Sequence, residues 1–344
     1  MSAGILTLCG LCLGMIASSP AIGQEAEPRA SQQAISNVVD ALDAVPSEGR
    51  LLQFQHGPLK LAPGGHFQGI QIRRDALRQR NIVFLSHDSE TVAYLMIVEF
   101  PWDLLGEGRV IHVHTFPNDG KSPPLRHAGG IQLLGNVLAV GLEDNQEKTR
   151  SEIQFWDVSD PTLLKQLTHL TVRRSGTPKD KTAGGVGIVR REQDCLLAVA
   201  NWDSRAVDFY VSNHPQLDDP KCQFEFRARW QHDQADKVDW QPDSTFGAYQ
   251  AINLVADAKQ DIYLLGFDTS PTGKDLVDLF TVELNRDPKK LLRKTSTKPM
   301  RLQGDNHFRY SGGIWFDDDR LAILSSERSL NPLIRLNIAI RNPR

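Results

Sequence analysis

The sequence lacks charged side chains over its first 23 residues. Residues 5–17 of this stretch form a mostly apolar run of the length of a signal-peptide core, and the run is too short to span a bilayer. Ala21 and Gly23 flank Ile22 and form a small-x-small cleavage site. We therefore expect a signal peptide over residues 1–23, cleavage after Gly23, and a periplasmic or secreted mature chain.

Three further absences narrow the range of functions. The net charge is only −3, so no global field attracts the chain to nucleic acid or to a membrane surface. No later apolar run approaches the length of a membrane span. Neither G-x-S-x-G nor H-E-x-x-H occurs, so neither a serine nucleophile nor a helical zinc site is indicated. We expect a monomer that has no nucleic-acid partner and no membrane span after signal cleavage.

What the sequence does contain is a repeat. An apolar run behind small residues recurs as HFQGIQ, HAGGIQ, AGGVGI, YQAINL and YSGGIW, anchored on Ile70, Ile131, Val186, Ile252 and Ile314. The anchors are 61, 55, 66 and 62 residues apart, with a mean of (314 − 70)/4 = 61. Short runs rich in β-branched and aromatic residues follow each anchor and are separated by turn residues. Repeated groups of four such strands are typical of a β-propeller.

The count of strands predicts how the ring closes. The fifth unit ends without a fourth strand, while an extra strand, LLQFQ at residues 51–55, precedes the first unit. Pairing this strand with the fifth unit would close the ring and remove two exposed sheet edges. We therefore predict an all-β fold, a five-bladed propeller with four-stranded blades over residues 50–344.

Residues 24–49 form a separate N-terminal segment in this prediction. Its apolar residues Ile35, Val38, Leu42 and Val45 lie on one stripe of a short helix. The helix either packs on the rim of the propeller or binds a partner.

A family resemblance follows from EIQFWDVSDP at residues 152–161, an apolar strand that ends in a D-V-S-D-P turn. This stretch resembles the secreted bacterial β-propellers with LVIVD-type repeats. The resemblance implies an exported propeller. It implies no catalytic residues, because many members of that group have no assigned activity.

The glycine pairs have a structural interpretation. The first strand of each blade lines the central channel, where the blades crowd together and small residues let backbones approach. A phosphate-binding turn would require a helix after the glycines, and here a strand follows. The glycines are therefore predicted to be architectural.

Function is predicted on the face where first strands begin and second strands end, which we term the upper face. Its loops are long, and loops on a rigid scaffold commonly carry function. The candidate residues there are Arg126, Lys181 and Arg309; His66, His127 and Tyr310; Gln71, Gln132, Asn253 and Trp315 deeper in the channel; and Asp88, Glu143, Asp203, Asp268 and Glu327 at the ends of second strands.

These residue types favour binding of a polar or anionic small ligand, or of a partner segment, at the channel mouth. The cations would neutralise charge, the amides would donate hydrogen bonds, and the aromatic rings would offer flat contacts. Two alternatives stay open. The same face could carry a hydrolase or lyase that uses paired carboxylates or a divalent metal on His66 and His127. The chain could also be an envelope scaffold that uses its rim and residues 24–49.

Only Cys195 and Cys222 lie beyond the predicted signal peptide, which excludes a disulfide-built scaffold. They begin the second and fourth strands of the third unit, roughly 9–10 Å apart by sheet spacing. That distance exceeds the usual disulfide reach of about 7 Å, although flexible turns could bring the two together.

Overall fold

The computed structural model describes Met1 and residues 35–341, except residues 58, 60, 118–119, 241–245 and 318. The predicted signal peptide and its cleavage site after Gly23 lie outside the described residues. Within the described part of the chain, no helix is both long enough and apolar enough to cross a membrane.

Beyond residue 50, the regular secondary structure of the described residues is almost entirely β-strand, with mostly antiparallel pairing. The first two repeats comprise β2 (Phe67–Asp75), β3 (Arg80–His87), β4 (Tyr94–Pro101), β5 (Glu107–Thr115), β6 (His127–Leu134), β7 (Val137–Glu143), β8 (Arg150–Asp157), β9 (Lys165–Gln166) and β10 (Val172–Ser175). The next two comprise β11 (Gly185–Arg190), β12 (Cys195–Ala200), β13 (Ala206–Ser212), β14 (Phe224–Gln231), β15 (Ala251–Ala256), β16 (Ile262–Thr269), β17 (Asp275–Val282) and β18 (Leu292–Met300). The last comprises β19 (Gly313–Asp317), β20 (Arg320–Ser326) and β21 (Leu333–Ile340), preceded in sequence by β1 (Arg50–Gln55).

Each repeat is a meander in which neighbouring strands pair in chain order, except that β9 and β10 both pair with β8. The first strand β1 pairs antiparallel with the last strand β21, with Leu52 opposite Leu336. It also pairs in parallel with β5, with Phe54 opposite Gly108, so the first and last repeats share one sheet. The strand pairing confirms the prediction of an all-β propeller fold.

The inner strands β2, β6, β11, β15 and β19 approach one another closely at the centre. In β6, Gly129 and Gly130 together oppose the single residue Gly141, which makes a β-bulge. The Gly130 N–H donates to the Gly184 carbonyl at 2.6 Å. A Cβ atom added to Gly129 would lie 2.5 Å from the Ala183 carbonyl oxygen. The glycine pair is therefore architectural, because it allows backbone contact between adjacent repeats.

The N-terminal segment contains one helix, α1 (Val38–Ala44), which begins at the N-cap Asn37. The Asn37 side chain accepts a hydrogen bond from the Val39 N–H at 2.9 Å. Val38 and Leu42 are fully buried in a cluster that also contains residues of β15, β16 and β20. The apolar stripe of the helix thus faces the propeller core.

Cys195 and Cys222, the cysteines within the described residues, are buried and neither forms a disulfide. The Cys195 thiol contacts the Pro215 carbonyl at 3.6 Å, and the Cys222 thiol contacts the His214 carbonyl at 3.4 Å. Burial raises the pKa of Cys195 to about 11, so this thiol stays protonated at neutral pH.

The close approach of inner strands predicts a sharp difference between two equivalent glycines. Gly129→Ala should lower the free energy of unfolding by about 1–3 kcal/mol, because its Cβ would overlap backbone that cannot move aside. Gly184→Ala is the matched control. A Cβ atom added to Gly184 would lie 4.0 Å from its nearest neighbour, the Asn201 carbonyl oxygen. The free energy of unfolding of this variant should therefore stay within about 1 kcal/mol of the wild-type value. Urea unfolding measures both, and equal losses would contradict the packing argument.

Candidate functional site

A cavity of about 290 Å³ lies where inner strands begin and second strands end. Every repeat contributes to its wall. The lining residues are His66 and Gln68; His127, Glu143 and Asn145; Gly184, Asn201, Trp202 and Asp203; Tyr249 and Gln250; and Arg309, Tyr310 and Arg328. The cavity is therefore on the upper face, and it includes six of the residues predicted from sequence: His66, His127, Glu143, Asp203, Arg309 and Tyr310.

Two histidine–carboxylate pairs from adjacent repeats lie at one side of the cavity, where His66, His127 and Glu143 line the wall and the predicted residue Asp88 contacts His66 without lining it. His66 Nδ1 lies 3.0 Å from Asp88 Oδ1, which also accepts the His66 backbone N–H at 2.5 Å. His127 Nδ1 lies 3.0 Å from Glu143 Oε1. Glu143 Oε2 accepts the Ala183 N–H at 2.5 Å. Each carboxylate therefore orients one imidazole and also accepts a hydrogen bond from a backbone N–H.

These contacts shift the pKa of Asp88 and that of His127. Burial alone would raise the pKa of Asp88, but hydrogen bonds and charge from His66 and His127 lower it to about 2. Burial alone would lower the pKa of His127, but its contact with Glu143 and the charges of Glu143 and Asp88 raise it. The carboxylate of Asp88 is thus ionised at neutral pH.

Gln68 links the two imidazoles. Its Nε2 lies 3.0 Å from Nε2 of His127 and also contacts Nε2 of His66. The side chain is buried, and its Oε1 has no hydrogen-bond partner among the described residues. The cavity floor therefore holds two imidazoles that turn the same ring nitrogen toward one amide.

Two arginines line the cavity without a carboxylate partner. In the chain as described, neither Arg309 nor Arg328 forms an ion pair, and both are exposed. The Arg328 guanidinium lies 5.2 Å from the centre of the Tyr310 ring. Trp202 adds a second aromatic ring, with the Lys148 ammonium 3.9 Å from its centre. This part of the wall combines positive charge with flat apolar surface.

The three amides predicted deeper in the channel bond to backbone and to each other. Gln132 Oε1 accepts the N–H groups of Ile188 and Leu254 at 2.9 and 2.8 Å, and its Nε2 donates to the Leu254 carbonyl at 2.7 Å. Asn253 Nδ2 donates to the Ile131 carbonyl at 3.2 Å.

The network continues to the remaining inner strands. Asn253 Oδ1 accepts from the Ile314 N–H at 3.1 Å and from Gln71 Nε2 at 3.4 Å. Gln71 Oε1 accepts from the Leu133 N–H at 3.3 Å. These amides join inner strands across the channel, below the cavity.

Two of the predicted cations lie outside the cavity. Lys181 Nζ is 2.9 Å from Asp208 Oδ2, in a cluster that also contains Arg174 and Arg229. The Arg126 guanidinium donates to the Glu90 carbonyl at 2.6 Å.

Other predicted residues are also placed elsewhere. Glu327 pairs with Arg335, and Trp315 packs in the core with the Arg74 guanidinium 5.2 Å from its ring centre. Asp268 does not line the cavity, and burial together with the nearby Asp278 raises its pKa.

Sequence reasoning missed the residues two positions before each anchor, among them Gln68 and Gln250 at the cavity wall. The sequence contained a signal for these positions, because three repeats have glycine there, at 129, 184 and 312, whereas the other two have a glutamine. In β2 the bulge makes Gln68 and Gly69 oppose one residue of β3. That extra residue brings a side chain two positions before the anchor onto the channel side.

A scan against protein-family models finds no match, and no curated protein sequence matches. Solved structures share a similar chain path. The GH62 α-L-arabinofuranosidase PaAbf62A from Podospora anserina is 11% identical with a TM-score of 0.49, over 87% of this chain and 99% of that one. The GH43 β-xylosidase/α-arabinofuranosidase CoXyl43 from a compost metagenome is 8% identical with a TM-score of 0.49, over 84% and 95%.

The channel network predicts a structural role for Gln132. Gln132→Leu would leave three buried backbone groups of Ile188 and Leu254 without partners, so it should lower the free energy of unfolding by about 2–4 kcal/mol. Gln154→Leu is the control, because this buried side chain donates only to Glu152. Chemical unfolding compares the two, and equal losses would rule out the proposed bridging role.

The cluster around Asp208 predicts an acid-sensitive contribution to stability. Burial raises the pKa of Asp208, but Arg174, Lys181 and Arg229 lower it below the usual 3.8. The stabilisation is therefore present above about pH 4 and lost as pH falls through the lower folded pKa. Asp208→Asn should cost about 3–5 kcal/mol at pH 7, because Arg174 becomes a buried unpaired charge.

The same variant should lose less stability than wild type as the pH falls below about 4. Thermal melts from pH 7 to pH 2.5 measure this slope. Asp194→Asn, which affects only a half-exposed pair with Arg191, should follow the wild-type curve. A wild-type slope in Asp208→Asn would contradict the assignment.

Proposed function

We propose that this chain is an exported five-bladed propeller that binds a small polar or anionic ligand at its upper mouth. Five meanders, each with its first strand at the centre, support the blade count. The charge-free apolar run before residue 24 and the resemblance to LVIVD-type repeats support export. The near-neutral net charge supports a small-molecule ligand rather than nucleic acid.

One observation carries the proposal: Arg309 and Arg328 line a cavity without carboxylate partners among the described residues. Elsewhere in the same structure cations are commonly paired, as Lys181 is with Asp208 and Arg174 with the same carboxylate. Two guanidiniums without such partners leave this part of the cavity wall positively charged, and an anionic group of a ligand would pair with them.

The rest of the wall supports a ligand that is polar on one side and flat on another. Asn201 and Gln250 offer amide donors and acceptors, while Trp202 and Tyr310 offer ring faces. A cavity of about 290 Å³ is at the lower end of the ligand-pocket range of roughly 300–1,000 Å³, which favours a ligand of modest size.

A second candidate is a hydrolase or lyase at the same face. The pairs His66–Asp88 and His127–Glu143 favour it, because each couples an imidazole of the cavity wall to a carboxylate at 3.0 Å. The scaffold alternative has less support, since the apolar stripe of α1 is buried against the propeller.

Removing both cavity arginines should weaken anion binding. Isothermal titration with citrate, glucuronate and inorganic phosphate should detect at least one ligand of the wild-type chain. The double variant Arg309→Ala/Arg328→Ala should bind it at least about tenfold more weakly, because each charge-assisted hydrogen bond contributes roughly 1.5–3 kcal/mol.

Arg126→Ala is the matched control, because its guanidinium bonds to the Glu90 carbonyl outside the cavity. It should retain wild-type affinity. The proposal fails if none of the three anions binds, or if the control loses as much affinity as the double variant.

A further inference from the structure

Two histidine rings turn the same nitrogen toward one point on the cavity floor. Nδ1 of His66 lies 3.0 Å from Asp88, and Nδ1 of His127 lies 3.0 Å from Glu143. A carboxylate beside Nδ1 favours a proton on that atom, so the neutral form of each ring has its lone pair on Nε2. Both Nε2 atoms contact the amide of Gln68, so the two lone pairs converge there.

The amide of Gln68 leaves one buried group unpaired. The side chain is 1% exposed, and its Oε1 has no hydrogen-bond partner among the described residues. Leaving a buried acceptor unpaired costs about 1–3 kcal/mol. A half-turn of the amide, which its shape permits, would direct Oε1 at both imidazole lone pairs. Three electron-pair donors would then face one point, and only a cation between them makes that arrangement favourable.

We propose that His66, His127 and Gln68 bind a divalent transition-metal ion through the two Nε2 atoms and the Gln68 carbonyl oxygen. Two imidazoles and one oxygen suit Zn²⁺, Co²⁺ or Mn²⁺ better than Ca²⁺, which takes oxygen ligands. One ligand atom from each of His66, Asp88 and His127 lies within 4.8 Å of the other two.

Asp88 and Glu143 are positioning residues in this arrangement. Each holds the Nδ1 side of one ligand imidazole, as carboxylates behind metal-bound histidines commonly do. His66, Gln68 and His127 all line the cavity, so the remaining positions around the ion open toward the ligand site. A metal ion here would place an electrophile beside the bound anion, which deepens the proposed function. The metal site rests on that function only for the identity of the group on which the ion would act.

Calorimetry with Zn²⁺ tests the site in the purified chain after treatment with a chelator and its removal. We expect one Zn²⁺ per chain. His66→Ala and His127→Ala should each weaken binding at least about tenfold, since loss even of an outer partner costs about 10–100-fold. The Co²⁺ complex should show visible absorption that is lost in both variants, whereas Ca²⁺ should give no comparable binding.

Substitutions at Gln68 keep the test decisive if a histidine variant fails to fold. Gln68→Glu supplies a charged oxygen and should bind Zn²⁺ more tightly than wild type. Gln68→Met keeps the length, removes the oxygen and should bind it more weakly. His307→Ala is the matched control, because this ring pairs with Asp275 at 3.3 Å outside the cavity. It should bind Zn²⁺ as wild type does.

The two proposals fail independently. Arg309→Ala/Arg328→Ala should lose anion affinity and still bind Zn²⁺, since neither arginine is a metal ligand. The metal site is refuted if wild type binds no stoichiometric Zn²⁺, Co²⁺ or Mn²⁺. Equal Zn²⁺ affinity of Gln68→Glu and Gln68→Met would refute it as well.

Discussion

The close approach of the inner strands is the constraint on which the rest of this structure depends. Adjacent repeats touch through backbone where Gly129 and Gly130 meet the residues around Gly184. No side chain fits between the two repeats at this contact. Buried backbone groups of the inner strands that do not bond to each other therefore need side-chain partners. Gln132 and Asn253 supply these partners across the channel. The centre is thereby joined by hydrogen bonds, and the cavity lies above it at the mouth.

The architecture also separates two kinds of charged residue. Ionic groups between strands are paired, as Asp208 is with Arg174, because burial makes an unpaired charge costly. The basic side chains that line the cavity include two types. The histidines are held by carboxylates on their Nδ1 side, while Arg309 and Arg328 have no such partner among the described residues. These two features, the imidazoles that meet at one amide and the arginines without carboxylate partners among the described residues, are the basis of the proposed ligand site and the proposed metal site.

Sequence reasoning identified the fold more completely than the site. The repeat anchored on Ile131 predicted the strand groups, and the glycine before it predicted close packing. The positions of His66, His127 and Arg309 at the mouth also followed from strand polarity. Lys181 and Trp315 show the limit of sequence reasoning. The direction of a strand predicts which face a side chain lies near, but it does not predict which residue that side chain contacts. Gln68 was missed because a bulge changes which residues of the strand point to the channel.

Apolar periodicity and the spacing of turns are properties of the chain itself, so the sequence alone determined the all-β repeat and the closing strand before the first unit. Partner choice is a property of residues far apart in the chain. Only the tertiary structure decided that Lys181 pairs with Asp208, that Gln132 bonds backbone on two other strands, and that His66 and His127 meet at one amide. The physical reason is that these contacts depend on distances of a few ångströms between repeats, which residue type and spacing do not encode.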